Sequence, residues 1–358
     1  ADRLLVLARR DARPSRPFPL TEKAGARARK FRLVDLVMYH EGSEACPMAE
    51  WIDAIGAARV LNCRGDACSD RLARIIVGKS IALVLSGGGA RAYAHIGALK
   101  ALREHNIPID FVSGASMGAV IAACIAMGWS DEEIEERIRE AFVESNPLGD
   151  HVLPVVALTK GERVEERLEN HFGDQLIEET AVPFFCVSSD IAEGDVRVHR
   201  RGALRRALRA SIALPGILPP VIDGDALLVD GAVINNFPTD IMSTNHRGMT
   251  IGIDVARRGT IDIDAFRDPP GFISWVSKYG LRSAPPIISL LMRTATARHE
   301  RMLTVHPADI MITPKVPGVE LRDWDEYDEA VSDGYNTAKA VILQNLDKIK
   351  EIAHDTTD

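Results

Sequence analysis

Residues 81–118 read IALVLSGGGARAYAHIGALKALREHNIPIDFVSGASMG, and this stretch decides the fold. Ile81 to Leu85 is an unbroken apolar run, the pattern of a strand buried on both faces. Glycines follow, then a helical pattern from Ala90 to His105, a second strand from Ile109 to Ser113, and a second helix from Ser116 to Met127. Strand, helix, strand, helix in this order predicts a mainly parallel sheet covered by helices, an α/β fold.

The same reading extends outward. Further strands are expected at Pro183 to Ser189, Val196 to His199, Ala226 to Val229, Thr250 to Asp254 and Asp309 to Thr313. Helices are expected near Asp131 to Glu144, Glu162 to Phe172 and Glu326 to Ile352. Residues 1–78 stand apart as a small α/β segment, with strands at Leu4 to Ala8 and Leu33 to Tyr39, a helix at Ala67 to Val77, and Pro14, Pro17 and Pro19 as punctuation. Residues 79–358 form the larger domain. No charged side chain falls between Asp110 and Asp131, about the length of a membrane span. The internal glycines and the β-like first part instead indicate a buried strand, a tight turn and a buried helix. The apolar segment Gly271 to Thr296 fits either a cap or membrane-facing surface over an apolar site or ordinary core helices.

The chain has 358 residues, 46% hydrophobic and 26% charged, which suits a folded globular protein and excludes disorder. A net charge of -8 gives no electrostatic footprint for nucleic acid, so no nucleic-acid partner is expected. Five cysteines, Cys46, Cys63, Cys68, Cys124 and Cys186, read as reduced thiols. The spacing of Cys63 and Cys68 does not suit a zinc site, and no metal is expected. No signal-peptide pattern opens the chain, and a start at Ala1 suggests a trimmed longer protein.

Three motifs carry chemistry. Gly114-Ala115-Ser116-Met117-Gly118 sits where a strand runs into a helix, the setting that a G-x-S-x-G nucleophile elbow requires. The pattern alone is common by chance, but its context makes Ser116 the candidate nucleophile. Ser86-Gly87-Gly88-Gly89-Ala90-Arg91 lies between a strand and a helix, where backbone N–H groups can converge on an anion. A plain flexible turn explains that placement poorly. Arg91 could steady this loop or meet a phosphate head group; a structural role in the loop is the favoured reading. Leu228-Val229-Asp230-Gly231-Ala232 ends an apolar strand in a carboxylate, which could serve as a base for Ser116 or be an ordinary turn aspartate.

Gly87, Gly89 and Ala92 fit a relaxed dinucleotide fingerprint, which makes an NAD(P)-binding oxidoreductase a rival. Its acidic residue should end the next strand, and here Asp110 begins it. Gly78-Lys79-Ser80 precedes its strand and so cannot be a P-loop. A Ser-His-Asp triad could draw on His95, one turn into the loop's helix, or on His246, His299 or His306 after Asp230; His95 reads better as a locally packed histidine. Cys124 reads as core.

Taken together, Gly87 to Arg91, Gly114 to Gly118, Asp230 to Ala232 and the run Ala210-Ser211-Ile212-Ala213-Leu214-Pro215-Gly216-Ile217-Leu218-Pro219-Pro220 resemble the patatin-like phospholipases in order and context. The resemblance covers roughly residues 79 to 350. Ala94 to Leu99, Ile107 to Asp110 and Arg71 to Arg74 are most similar to the neuropathy target esterase (lysophospholipase) branch. The resemblance implies a three-layer patatin-like fold and a dyad of Ser116 and Asp230 without histidine. It also implies an oxyanion hole at Gly87, Gly88, Gly89 and Met117, no cofactor, and a phospholipid or lysophospholipid substrate. A non-catalytic lipid-binding protein with the same fold is the alternative. Peripheral contact with the cytoplasmic membrane face or a cytoplasmic location, and upstream cyclic-nucleotide-binding-like domains, are further implications. The chain departs from the family at Ala92, where a glycine is usual.

Overall fold

The computed structural model describes residues 3–9, 11–14, 33–40, 48–64, 68–144, 149–150, 152, 156–256, 307–319 and 323–354. The apolar segment 271–296 and Cys46 lie outside them.

The front segment contributes β1 (Arg3–Arg9), β2 (Leu33–His40), α1 (Met48–Ile55), β3 (Arg59–Arg64) and α2 (Ser69–Val77). The larger domain continues with β4 (Ile81–Leu85), a 3-10 turn (Gly89–Tyr93), α3 (Ala94–Glu104), β5 (Phe111–Ala115), α4 (Met117–Ala126), α5 (Asp131–Ile138), α6 (Glu162–Phe172), β6 (Phe184–Asp190) and β7 (Asp195–His199). Then come α7 (Leu204–Ser211), β8 (Val221–Asp223), β9 (Ala226–Asp230), α8 (Thr239–Asn245), β10 (Met249–Ile253), β11 (Ile310–Ile312), α9 (Tyr327–Gln344) and α10 (Leu346–His354).

Strands β11, β10, β4, β5 and β6 lie side by side and parallel. Strand β4 shows why this sheet is a middle layer. Ile81, Leu83 and Leu85 face one core with Ile96, Leu99 and Val120, whereas Ala82 and Val84 face another with Phe237 and Met242. Both faces are dry, so the strand needs no polar alternation. Helix α4 is uncharged and buried at every position, which is the packing expected of the 110–131 stretch as a buried helix. Among the described residues no helix is long and apolar enough to cross a membrane.

The front segment forms its own parallel sheet, β1-β2-β3. One side of it packs under α1 through Leu36, Met38, Trp51 and Ile52. Its other side sends Val37 and Leu61 into the second core of the main sheet. Helix α2 fastens the junction: Arg74 donates to both carboxylate oxygens of the fully buried Asp110, and Arg71 donates to the Ala181 carbonyl.

The cysteines correct the sequence reading. Cys63 and Cys68 form a disulfide with a Cα separation of 5.2 Å, because the end of β3 lies within bridging distance of the start of α2. Spacing and parity carry no information about that proximity. Cys124 and Cys186 are free and buried, and burial pushes the Cys124 thiol up to about 12. Among the described residues no group of His, Cys, Asp and Glu could hold a metal ion.

Candidate active site

Strand β6 organises the site. Along one edge it pairs with β7, from Cys186↔His199 to Asp190↔Asp195. Its other edge is shared by two strands running toward each other. Strand β5 runs parallel to β6 and ends with Ala115 opposite Val187. Strand β9 runs antiparallel and ends with Asp230 opposite Ser188. The carboxyl ends of β5 and β9 therefore meet at adjacent rungs, about 3.4 Å apart along β6. The sequence places Asp230 at the end of a strand without giving that strand's direction. The strand is antiparallel, and it is register that brings Asp230 to Ser116.

Ser116 is the elbow between β5 and α4, with φ 53 and ψ -133, one of three non-glycine residues with positive φ among those described. Such a conformation persists only where surrounding structure enforces it. Gly118 is part of that enforcement: a Cβ there would lie 2.4 Å from the Ser86 carbonyl oxygen, so only glycine lets α4 start against the glycine loop. The Ser116 N–H donates to Ser211 Oγ at 3.0 Å, and that hydroxyl donates to the Val187 carbonyl at 2.7 Å. The Ser116 hydroxyl donates to Asp230 Oδ2 at 2.6 Å.

Asp230 is 1% exposed. Its Oδ1 accepts the Ala232 N–H at 2.8 Å, and its own N–H donates to the Ala213 carbonyl at 2.9 Å. Burial raises its pKa from 3.8 to about 7, against the opposing pull of the Ser116 and Ala232 hydrogen bonds. A carboxylate tuned close to neutrality is suited to taking a proton from a hydroxyl.

The glycine loop lies beside this pair. A Cβ at Gly87 would lie 2.9 Å from Ser116 Cβ and 2.5 Å from Asn236 Oδ1. Asn236 clamps Gly87 from both sides: Gly87 N–H donates to Asn236 Oδ1 at 3.1 Å, and Asn236 Nδ2 donates to the Gly87 carbonyl at 3.2 Å. Gly87 was expected among the anion donors, but its N–H is already engaged, so close approach is its contribution. The loop continues into the 3-10 turn that contains Arg91, which is partly exposed, and the fully buried Ala92. Ala92 has no positive φ, so its methyl fits the turn and the core without backbone strain.

Histidine is absent from the pair. His95 is fully buried and its Nε2 meets the Ser86 carbonyl at 2.8 Å, which requires Nε2–H as donor. Burial lowers its pKa to about 4, so it stays neutral and serves as a strut beneath the loop. His246 bonds Ser80 and Thr250 near the amino ends of β4 and β10. His299 and His306 lie outside the described residues.

An apolar cleft runs along α4 away from the elbow. Val120, one turn beyond Ser116, and Ile212, next to Ser211, line its near end; Cys124, Phe142 and Trp129 line it further on.

Three contributors escaped the sequence reading. Ser211 lies in the singled-out run 210–220 and Asn236 follows the Asp-Gly-Ala triplet, but neither position announced a hydrogen bond to the elbow or the loop. His95 was visible as a nearby histidine, not as a support for Ser86.

Fold and site together define an α/β protein with a serine-aspartate pair at a strand-to-helix elbow and a glycine loop against it. Residues 83–243 match the family model described as patatin-like phospholipase, and the chain carries a domain of that family. It is 35% identical over 286 residues to an uncharacterized NTE family protein of Mycobacterium tuberculosis, covering 78% of this chain and 49% of that protein. It is 34% identical over 300 residues to patatin-like phospholipase domain-containing protein 6 of Homo sapiens, covering 79% of this chain and 22% of that protein. The chain thus spans about half or less of the length of these relatives. Both agree with the branch that the motifs resemble. The crystal structure of VipD from Legionella pneumophila aligns with a TM-score of 0.44 at 14% identity, covering 74% of this chain and 67% of that one, too loosely to add to the fold.

Proposed function

We propose that the chain is a serine acyl hydrolase that cleaves fatty-acyl esters of phospholipids or lysophospholipids. Ser116 Oγ attacks the ester carbonyl while Asp230 accepts its proton. The oxyanion of the tetrahedral intermediate is held by N–H groups of Gly88, Gly89 and Met117 at the start of α4, whose helix dipole also favours negative charge. Collapse expels the alcohol, which takes the proton back from Asp230, and leaves an acyl-serine. Water then attacks the acyl group, with Asp230 again as base, and releases the fatty acid.

One observation carries this reading: the 2.6 Å hydrogen bond from Ser116 to a buried carboxylate. The apolar cleft supports an apolar acyl chain, and the patatin-like phospholipase match supports a lipid ester. The test is fatty-acid release from lysophosphatidylcholine vesicles by wild type, Ser116→Ala and Asp230→Asn. Release by wild type and its loss in both variants is the expected result. Vesicle binding without release by any of the three would make the chain a lipid-binding protein instead.

A further inference from the structure

A second cleft lies at the other end of the sheet. It is formed where β3 of the front segment meets the amino ends of β5 and β6. Phe111 opens β5 and Ser116 follows its last residue, so roughly 16 Å of strand separates this cleft from the elbow.

Two arginines line it. Arg59 is 9% exposed; its Nε and Nη2 are both given to Asp35, its rung partner on β2, and its guanidinium lies 5.3 Å from the centre of the Phe111 ring. Its Nη1 is buried with no hydrogen-bond partner. A guanidinium N–H buried without an acceptor is destabilising, so this donor is held in place for no gain that the chain itself supplies. Arg200 lies 5.4 Å from the centre of the Phe185 ring, and its Nη2 donates to Asn245 Oδ1 at 3.3 Å. It forms no ion pair among the described residues. Partial desolvation and the nearby Arg59 both depress its pKa. Glu178 also lines the cleft, but its carboxylate accepts the Gly202 N–H at 2.8 Å. Asp35 offsets Arg59 and Glu178 is the other carboxylate of the cleft, so what the cleft offers an anion is two guanidinium groups rather than a net positive charge.

We propose that this cleft binds the phosphate group of a small molecule, with Arg200 and Nη1 of Arg59 contacting the phosphate oxygens. Guanidinium forks match phosphate oxygens in geometry and charge, and the phenyl walls lower the local dielectric and strengthen the contact. Because front segment and main sheet both line the site, its ligand stabilises their docking by mass action.

The experiment uses the Ser116→Ala chain, which removes turnover, and follows melting temperature and calorimetric binding. The probes are inorganic phosphate, glycerol 3-phosphate and vesicles with or without phosphatidic acid, at constant ionic strength. Saturable binding with a rise in melting temperature is expected. Arg200→Gln, at an exposed position, should weaken binding at least about tenfold while its melting temperature without ligand stays unchanged. Arg200→Lys should recover part of the affinity. Binding to the soluble probes assigns a free phosphate compound, and Arg200-dependent binding to phosphatidic acid vesicles alone assigns a lipid head group. The proposal is overturned if no probe binds saturably, or if Arg200→Gln binds as tightly as its parent.

Discussion

At the amino end of β5, Asp110 is fully buried against Arg74 and Arg71; at its carboxyl end, Ser116 meets Asp230, equally buried but with no cationic partner among the described residues. The strand between them is five residues long. A carboxylate that is paired inside a protein holds elements together, and here it fastens α2 of the front segment to the main sheet. One left unpaired beside a hydroxyl is pushed toward a neutral pKa and becomes able to accept a proton. The difference between the two carboxylates is therefore not burial, which they share, but the presence of arginine.

The sharpest way to break this contrast is to remove the acceptor at each end. Ser116→Ala and Asp230→Asn should each lower kcat for lysophospholipid hydrolysis on the order of 10⁴- to 10⁶-fold with the fold intact by circular dichroism. Asp110→Asn should do the reverse: kcat of the folded enzyme stays within a few-fold of wild type, while urea unfolding shows a loss of roughly 3 kcal/mol as Arg74 loses its buried partner. If Asp110→Asn abolished hydrolysis in a stable protein, the division between anchor and base would fail.

Titration of Asp230 sharpens the comparison further. Its folded pKa, about 7, lies above the ordinary 3.8, so between those values the folded chain holds a proton that the unfolded chain has released. The stability it contributes is present at low pH and lost as pH rises through about 7, whereas hydrolysis with Asp230 as the proposed base should rise over the same range. Relative to wild type, Asp230→Asn should gain roughly 2–3 kcal/mol in unfolding free energy between pH 5 and pH 8. The wild-type pH-rate profile should show an ascending limb centred near 7. A limb near pH 4 would mean that the carboxylate is not held as described.

The smallest expected effect is at His95. His95→Gln can still offer an N–H to the Ser86 carbonyl, and kcat should fall by no more than about tenfold. A loss comparable with that of Ser116→Ala would make histidine part of the reaction.

Much of this arrangement was legible in the sequence because it is local. The apolar run at 81–85 gives β4, the glycines around Ser116 give the elbow, and the uncharged stretch after it gives α4. The acid was legible as a residue but not as a geometry. Nothing in Leu228-Val229-Asp230 says that β9 is antiparallel, or that it shares an edge of β6 with β5. That placement depends on register between strands more than a hundred residues apart. Ser211 and Asn236 were hidden for the same reason, since their hydrogen bonds cross from one element to another. The Cys63–Cys68 bridge was hidden because it depends on how the end of β3 meets the start of α2 rather than on a count. Helix boundaries shifted where local geometry intervened: the expected helix at Ala90 begins as a 3-10 turn, and the one over Glu326 to Ile352 breaks at Asn345.

The most direct test of the serine-aspartate pair is covalent labelling with a fluorophosphonate, read by peptide mass spectrometry across pH 5 to 9 in wild type and Asp230→Asn. A single adduct is expected on Ser116, forming at a rate that climbs through about pH 7 in wild type and is nearly absent in Asp230→Asn. Labelling of Ser116 at an unchanged rate in Asp230→Asn, or an adduct on another residue, would contradict it.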